Sequence, residues 1–241
     1  MVTIEDIAWL NFNYPTLTIS EDGREIRGVL TYRATYDKET NQFLVLSAGI
    51  TNTIGGIELK ASYEINIKAR VGADNKIYAL PSLFITIEVE KLILDRHFNT
   101  IDKAACLCGP VEELNYMRSY SFQEYFTRLV IPFLYEQTYF DLYQGKWPWG
   151  EYGHGFFGMM ASYNESGNAS HIPQLLARMK DETNIWDKVI KLLLTQKPDL
   201  KGHILCFCGS REYFRNCHKS TMFGVNKLRK DIRENNIQIP E

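Results

Sequence analysis

The sequence predicts an α+β protein in which an antiparallel strand meander is followed by helices and a small cysteine-containing tail. In the first half, segments rich in β-branched and aromatic residues alternate with turn-forming residues. In the second half, apolar residues recur at intervals of three and four, which is typical of amphipathic helices. At 241 residues, 45% of them hydrophobic, the chain can hold one large domain with a small appendage.

The predicted strands lie before residue 90. Their alternation of apolar and polar residues, clearest in the last two, is typical of antiparallel strands with one covered face. Turn-forming residues separate them, and we expect a meander of about four strands. The segment from residue 5 to 14 gives no clear prediction. The four strands are 29–36, 43–47, 63–69 and 83–89.

Helical spacing begins after Pro110. It runs from Phe122 to Leu142, where Pro132 is expected to divide two helices. Further helices are predicted from Ser170 to Met179 and from Ile185 to Leu194. A polar stretch at 164–170 reads as a linker. We therefore predict two domains, one over residues 1–163 and a helical one with the cysteine motif over residues 164–241.

Charge and hydropathy exclude several function classes. The net charge of −2 and the pI near 6.2 indicate no extended binding of nucleic acid or of an acidic membrane, but they leave local binding patches open. No apolar run approaches the roughly 20 residues of a membrane span, and the N-terminus lacks the features of a signal peptide. We expect a cytoplasmic protein. In a reducing compartment, cysteines grouped at 106/108 and 206/208/217 indicate catalysis or metal binding.

The strongest motif is a C-x-C-x8-C-H pattern formed by Cys206, Cys208, Cys217 and His218. Three thiolates and one imidazole complete the tetrahedral coordination of zinc, so we expect a structural zinc site. The alternative is three buried cysteines beside an incidental histidine. The pattern resembles the SEC-C motif, the zinc-binding tail named after the SecA translocase, down to Cys-x-Cys-Gly-Ser and Cys-His. It departs at 211–213, where Arg-Glu-Tyr replaces the usual Gly-Lys-Lys.

The second motif is the loop that contains Cys106. Cysteine is suited to carry an acyl group, since its thiolate is strongly nucleophilic and the thioester stays reactive toward amines. The small residues Ala104, Ala105 and Gly109 leave this sulfur open to a large acyl donor. The alternative is a buried structural cysteine on a tight turn.

The order of strands, loop and helices, with His97-Phe98-Asn99 before Cys106-Leu107, resembles a diverged ubiquitin-conjugating enzyme (UBC-like fold). That family places a His-Pro-Asn tripeptide before an active Cys-Leu, so Phe98 is a departure. A closer resemblance is to the bacterial conjugating enzymes of cyclic-oligonucleotide antiphage (CBASS) operons. The residues that fit the CBASS pattern are Cys106-Leu107, Pro110, Ile131-Pro132-Phe133, Tyr135-Glu136, Gly145-Lys146-Trp147, Gly150 and His154.

The resemblance implies a role for each residue of this loop. Cys106 would accept the acyl group, and Asn99 would steady the loop or donate to the oxyanion that forms when an amine attacks. His97 would be mainly structural, with acid–base work as the alternative. Cys108 would be a resolving or alternative thiol. His154 is expected to pack beside Trp147 and Trp149.

Three functions remain open. The first is a conjugating enzyme of bacterial defence; the second is a non-catalytic adaptor built on a UBC-like shell and a zinc knuckle; the third is a redox protein that uses Cys106 and Cys108. The chain contains no G-x-x-x-x-G-K-[ST], and its G-x-G-x-x-G sequence at 153–158 follows no predicted strand, which a dinucleotide-binding motif requires. An enzyme of the first kind would therefore receive its acyl group from another protein. The expected partners are a cognate nucleotidyltransferase or a ubiquitin-like protein as donor, and a separate adenylating enzyme.

Overall fold

A computed structural model describes residues 2–47, 49–74, 76–119, 121–149, 153, 155–182, 185–195 and 199–240. The chain forms two compact units, Met1–Cys108 with Tyr116–Glu151, and Gly109–Asn115 with Tyr152–Glu241. The predicted domain boundary at 163/164 falls inside a helix of the second unit, Gly155–Ser166. This helix belongs to the second unit because Met160 and Tyr163 are buried in that unit's core.

The first unit begins with helix α1 (Ile4–Asn13), which the sequence analysis did not predict. Thr3 and Asp6 form a capping box: Asp6 N donates to Thr3 Oγ1 at 3.1 Å, and Thr3 N donates to Asp6 Oδ2 at 2.9 Å. Such a cap stabilises a helix by about 1 kcal/mol. The Thr-x-x-Asp spacing was the signal that could have revealed α1.

A five-stranded antiparallel sheet follows, which confirms the α+β class. Along β2, Ile26, Leu30 and Ala34 point into the core, whereas Arg27 and Arg33 lie on the opposite, exposed face. This alternation is the period-two pattern of a strand with one covered face. The strands are β1 (Leu17–Ile19), β2 (Glu25–Asp37), β3 (Gln42–Val45), β4 (Ile57–Val71) and β5 (Ile77–Ile85).

The strand order differs from a simple meander. The sheet runs β1-β2-β4-β5, and β3 pairs with β2 over Ala34–Asp37. Since β4 pairs with β2 from Glu25 to Tyr36, both β1 and β3 occupy the other edge of β2. The physical reason is the length of the strands. Because β3 has 4 residues and β4 has 15, only β4 can pair with the backbone N–H and C=O groups along the whole of one edge of β2.

The prediction that Pro132 divides two helices is wrong. Helix α3 (Phe122–Tyr125), a π-helical turn (Phe126–Val130) and α4 (Ile131–Leu142) form one continuous helical segment. Proline lacks an N–H, and its ring would clash with the carbonyl four residues earlier in a regular α-helix. The wider π turn immediately before Pro132 accommodates the ring without ending the helix.

The second unit is helical. Helix α2 (Pro110–Ser119) begins in it, followed by α5 (Gly155–Ser166), α6 (Ile172–Glu182), α7 (Trp186–Leu194), α8 (Phe214–Cys217) and α9 (Lys219–Glu234). Helices α6 and α7 confirm the two helices predicted after the linker. Gly224 lets α9 pack closely on α5, because a Cβ there would overlap the Met160 carbonyl oxygen. Among the described residues, no helix is both long and apolar enough to cross a membrane.

Candidate active-site loop and metal centre

Backbone hydrogen bonds fix the loop that carries Cys106. Two 3-10 turns, Val89–Lys91 and Leu94–Arg96, lead from β5 to His97, whose φ of 59° turns the chain. Phe98 and Ala105 then pair as an antiparallel bridge. Ala105 N donates to the carbonyl of Leu83 in β5 at 2.7 Å. The loop is therefore attached to the sheet one residue before the cysteine.

Cys106 is exposed, while Cys108 is half-buried. The Cys106 N–H donates to the His97 carbonyl at 2.6 Å, so the backbone of this exposed residue is held in place. The Cys106 thiol lies 3.9 Å from the Cys108 carbonyl oxygen. A buried structural cysteine does not describe this position. The geometry is that of a fixed and accessible thiol.

Asn99 organises the turn before Cys106. Its Oδ1 accepts from Ile101 N at 2.9 Å. Its N–H donates to the Ala104 carbonyl at 2.9 Å, and its carbonyl accepts from Lys103 N at 3.0 Å. The Asn99 side chain thus closes the turn through which the chain returns to Cys106. Its role in this structure is to position the loop.

His97 is 2% exposed, and its ring packs edge-on against Trp147 at 5.1 Å between centroids. Phe98 is fully buried against Phe133. Both side chains therefore serve packing beneath the loop. A ring so enclosed is poorly placed to exchange protons with a bound substrate. His154 and Gly150 lie outside the described residues.

Sequence reasoning missed the contact that ties this loop to α4. Arg96 is 5% exposed, and its Nε donates to Gln137 Oε1 at 3.0 Å. Its Nη1 forms a 2.9 Å ion pair with Asp141, and its guanidinium lies 4.8 Å from the centre of the Phe140 ring. Gln137 returns a hydrogen bond to the Arg96 carbonyl at 3.1 Å. No local signal reveals these partners, because more than forty residues separate them.

A second missed feature is Glu136, a carboxyl buried in the first unit at 4% exposure. Burial raises the pKa of Glu136 to about 8, and a hydrogen bond from the Trp149 side chain opposes only part of that rise. The surrounding aromatic layer includes Tyr135, which stacks on Trp149 at 5.9 Å. A predominantly neutral carboxylic acid therefore lies in the core near neutral pH.

We expect Glu136→Gln to remove a pH dependence of stability. Because the folded-state pKa is raised, the unfolded chain holds fewer protons between about pH 4.5 and 8, and stability falls as pH rises through that window. The full loss is roughly 3–5 kcal/mol at pH 9. Thermal unfolding from pH 5 to 9 should show a falling Tm in the wild type and a flatter profile in Glu136→Gln.

Glu39→Gln, on an exposed turn, is the matched control and should keep the wild-type slope. An equal slope in Glu136→Gln and in the wild type would show that another group controls the pH dependence.

The four predicted metal ligands come together in the second unit. The ligand atoms of Cys206, Cys208, Cys217 and His218 all lie within 4.8 Å of one another. Cys206 Sγ is 3.3 Å from His218 Nδ1, and the thiols of Cys208 and Cys217 are 3.5 Å apart. Tetrahedral zinc ligands lie about 3.5 Å apart for sulfur and nitrogen and about 3.8 Å for two sulfurs. The cluster can therefore hold a metal ion.

The four residues of the cluster lie on a hairpin and at two helix ends. Leu205 and Tyr213 pair as a bridge, and Cys206 N donates to the Glu212 carbonyl at 2.7 Å. Gly209, with a φ of 91°, makes the turn after the second cysteine. Cys217 ends α8, and His218 immediately precedes α9.

The thiols of the cluster differ in their environments. Burial raises the pKa of the Cys206 thiol to about 12, whereas hydrogen bonds from Ser210 lower the pKa of Cys208 to about 7. The His218 ring packs on Phe157 at 4.1 Å between centroids. Phe207 also packs on Phe157, at 5.1 Å. The cluster is thus fastened to α5 by aromatic contacts.

No protein-family model, no curated protein and no solved structure matches the chain.

Proposed function

We propose that this chain is a ubiquitin-conjugating-like enzyme that carries a protein C-terminus as a thioester on Cys106. The observation that supports it most strongly is the exposed Cys106 thiol on a loop whose backbone is hydrogen-bonded to the sheet and to His97. Such a thiol is accessible to a macromolecular donor and keeps its position during transfer. By the resemblance to CBASS conjugating enzymes, the setting is bacterial antiphage defence and the donor is a cognate nucleotidyltransferase.

The proposed step is an acyl transfer. The Cys106 thiolate attacks the carbonyl carbon of an activated C-terminus, either an acyl adenylate or a thioester. A C–S bond forms, and the AMP or the thiolate of the previous carrier leaves. An amine of the acceptor then attacks the new thioester, and Cys106 leaves as a thiolate.

Neighbouring residues position this thiol. Asn99 steadies the turn and is the candidate donor to the oxyanion that forms when the amine attacks. Arg96 and His97 act through packing and hydrogen bonds beneath the loop, so they are positioning residues. Cys108 is half-buried and less accessible than Cys106, which favours Cys106 as the nucleophile.

Activation of the donor is assigned to another protein. The formation of a thioester from a free carboxylate has an unfavourable free energy. Enzymes that adenylate a carboxylate hold ATP with a phosphate-binding loop. The 241 residues contain no G-x-x-x-x-G-K-[ST] loop, and the G-x-G-x-x-G sequence at 153–158 comes after helix α4 and not after a strand, as a phosphate-binding motif would. The chain would therefore accept an acyl group that is already activated.

The metal of the Cys206–His218 cluster is proposed to be a structural zinc ion. Three sulfur ligands and one imidazole nitrogen match zinc in number and softness and leave no open position for catalysis. Its contribution would be the folding of the hairpin at 204–214 onto α8 and α9. The first unit is proposed to be a UBC-like domain.

Coexpression with the proposed donor, a cognate nucleotidyltransferase, tests the function. A non-reducing gel should show a band at the summed mass, lost on addition of thiol and absent with a donor that lacks its last residues. If no such band forms with any tested donor, the result would favour a non-catalytic adaptor over a conjugating enzyme.

A further inference from the structure

We propose that the exposed cations and aromatic rings between Lys201 and Phe223 bind single-stranded nucleic acid. This function goes beyond acyl transfer and concerns the surface of the second unit around the metal cluster. We call it the basic-aromatic surface. Its members are His203, Arg211, Tyr213, Arg215, Lys219 and Phe223, all of them exposed.

The segment is basic within an acidic chain. Residues 201–223 contain four Lys or Arg residues and one acidic residue, Glu212, although the whole chain has a net charge of −2. None of these four cations forms a salt bridge within the described ranges. A zinc ion held by three thiolates would leave the segment positively charged. The local charge complements a phosphate backbone.

Exposed rings lie beside the cations. Tyr213 is 48% exposed, and the Arg215 guanidinium lies 5.8 Å from the centre of its ring. Phe223 is 44% exposed, and Lys219 Nζ lies 5.8 Å from its ring centre. Arg215 Nη1 is also 3.3 Å from His203 Nε2, so His203, Tyr213 and Arg215 form one contiguous group.

This pairing of ring and cation favours single strands over other acidic ligands. Proteins that bind single strands without sequence preference stack bases on aromatic side chains and place cations along the backbone. An acidic polypeptide would use the cations but would gain little from exposed rings. In a duplex, the faces of the bases are stacked on each other and unavailable. The observed pairs thus fit an unpaired base on Tyr213 with its phosphate at Arg215.

Fluorescence anisotropy with labelled oligothymidylate and oligouridylate of about 20 nucleotides tests the proposal on the full, metal-loaded chain. We expect binding that weakens at least about fivefold in Tyr213→Leu, which removes one stacked base. Arg215→Glu should weaken it further and flatten its dependence on salt. Lys60→Glu, a charge reversal on the exposed face of β4, should bind like the wild type.

Metal content and thermal unfolding of each variant must match the wild type. A loss of binding can then be attributed to the changed side chain and not to unfolding. Arg215→Lys, which keeps the charge, gives a second measurement if Arg215→Glu is unstable, and it should retain most of the affinity. Equal affinity of Tyr213→Leu and the wild type would overturn the proposal. So would the absence of binding to both probes, or competition by polyglutamate as strong as by unlabelled oligonucleotide, which would identify an acidic polypeptide as the ligand.

Discussion

Replacement of Cys106 by alanine is expected to abolish the adduct with the donor protein. Because this sulfur would form the C–S bond of the proposed thioester, no other contact of the loop can replace it. The fold should persist, since the side chain is exposed and the loop is held by main-chain bonds at Ala105 and Cys106. Non-reducing gels should show no adduct, and circular dichroism should be unchanged.

Cys108→Ala is the matched control, because it removes the neighbouring thiol two residues away. We expect it to weaken adduct formation at most. Loss of the adduct with Cys108→Ala and its retention with Cys106→Ala would reverse the assignment. Retention in both variants would support the adaptor.

Disruption of the metal cluster is the second change with a large expected effect. Cys208→Ser should reduce the zinc content of the purified protein from near one ion per chain toward zero, since it removes one of four ligands. The hairpin around Cys206 should then open, because the proposed zinc ion would supply its folding free energy. Zinc at about 100 times its Kd stabilises by about 2.7 kcal/mol, so amide exchange at Cys206 and Phe214 should accelerate by roughly a hundredfold.

Amides of β2 and β4 should keep their protection, since they pair in the sheet of the first unit. Cys108→Ser, the same substitution at a cysteine of the first unit, should leave the zinc content unchanged. A zinc content near zero in the wild type, or one that Cys208→Ser does not reduce, would contradict the metal assignment.

Much of the fold follows from local patterns. The alternation at Tyr63–Ala69 predicted part of β4, and the spacing at Ile185–Leu194 predicted α7, since burial of one face imposes a period on the sequence. The cluster of three cysteines and one histidine was also predictable, because all four residues lie within one hairpin and the helix ends that follow it.

What the sequence did not reveal depends on distant partners. The buried Arg96 is explained by Gln137 and Asp141, and the raised pKa of Glu136 by its burial beside Trp149. Neither residue carries a local signal of burial, since Arg and Glu are usually exposed. Pro132 was misjudged for a related reason: the π turn that accommodates it has no residue signature of its own.

The most direct test of the central claim is intact-mass analysis of the purified chain after incubation with the activated donor. The thioester predicts an added mass equal to the donor minus one water, removed by hydroxylamine or excess thiol, with the modified peptide containing Cys106. Incubation with ATP and the free donor, without any adenylating protein, should leave the mass unchanged. A hydroxylamine-stable adduct, or one that maps to a residue other than Cys106, would contradict the account.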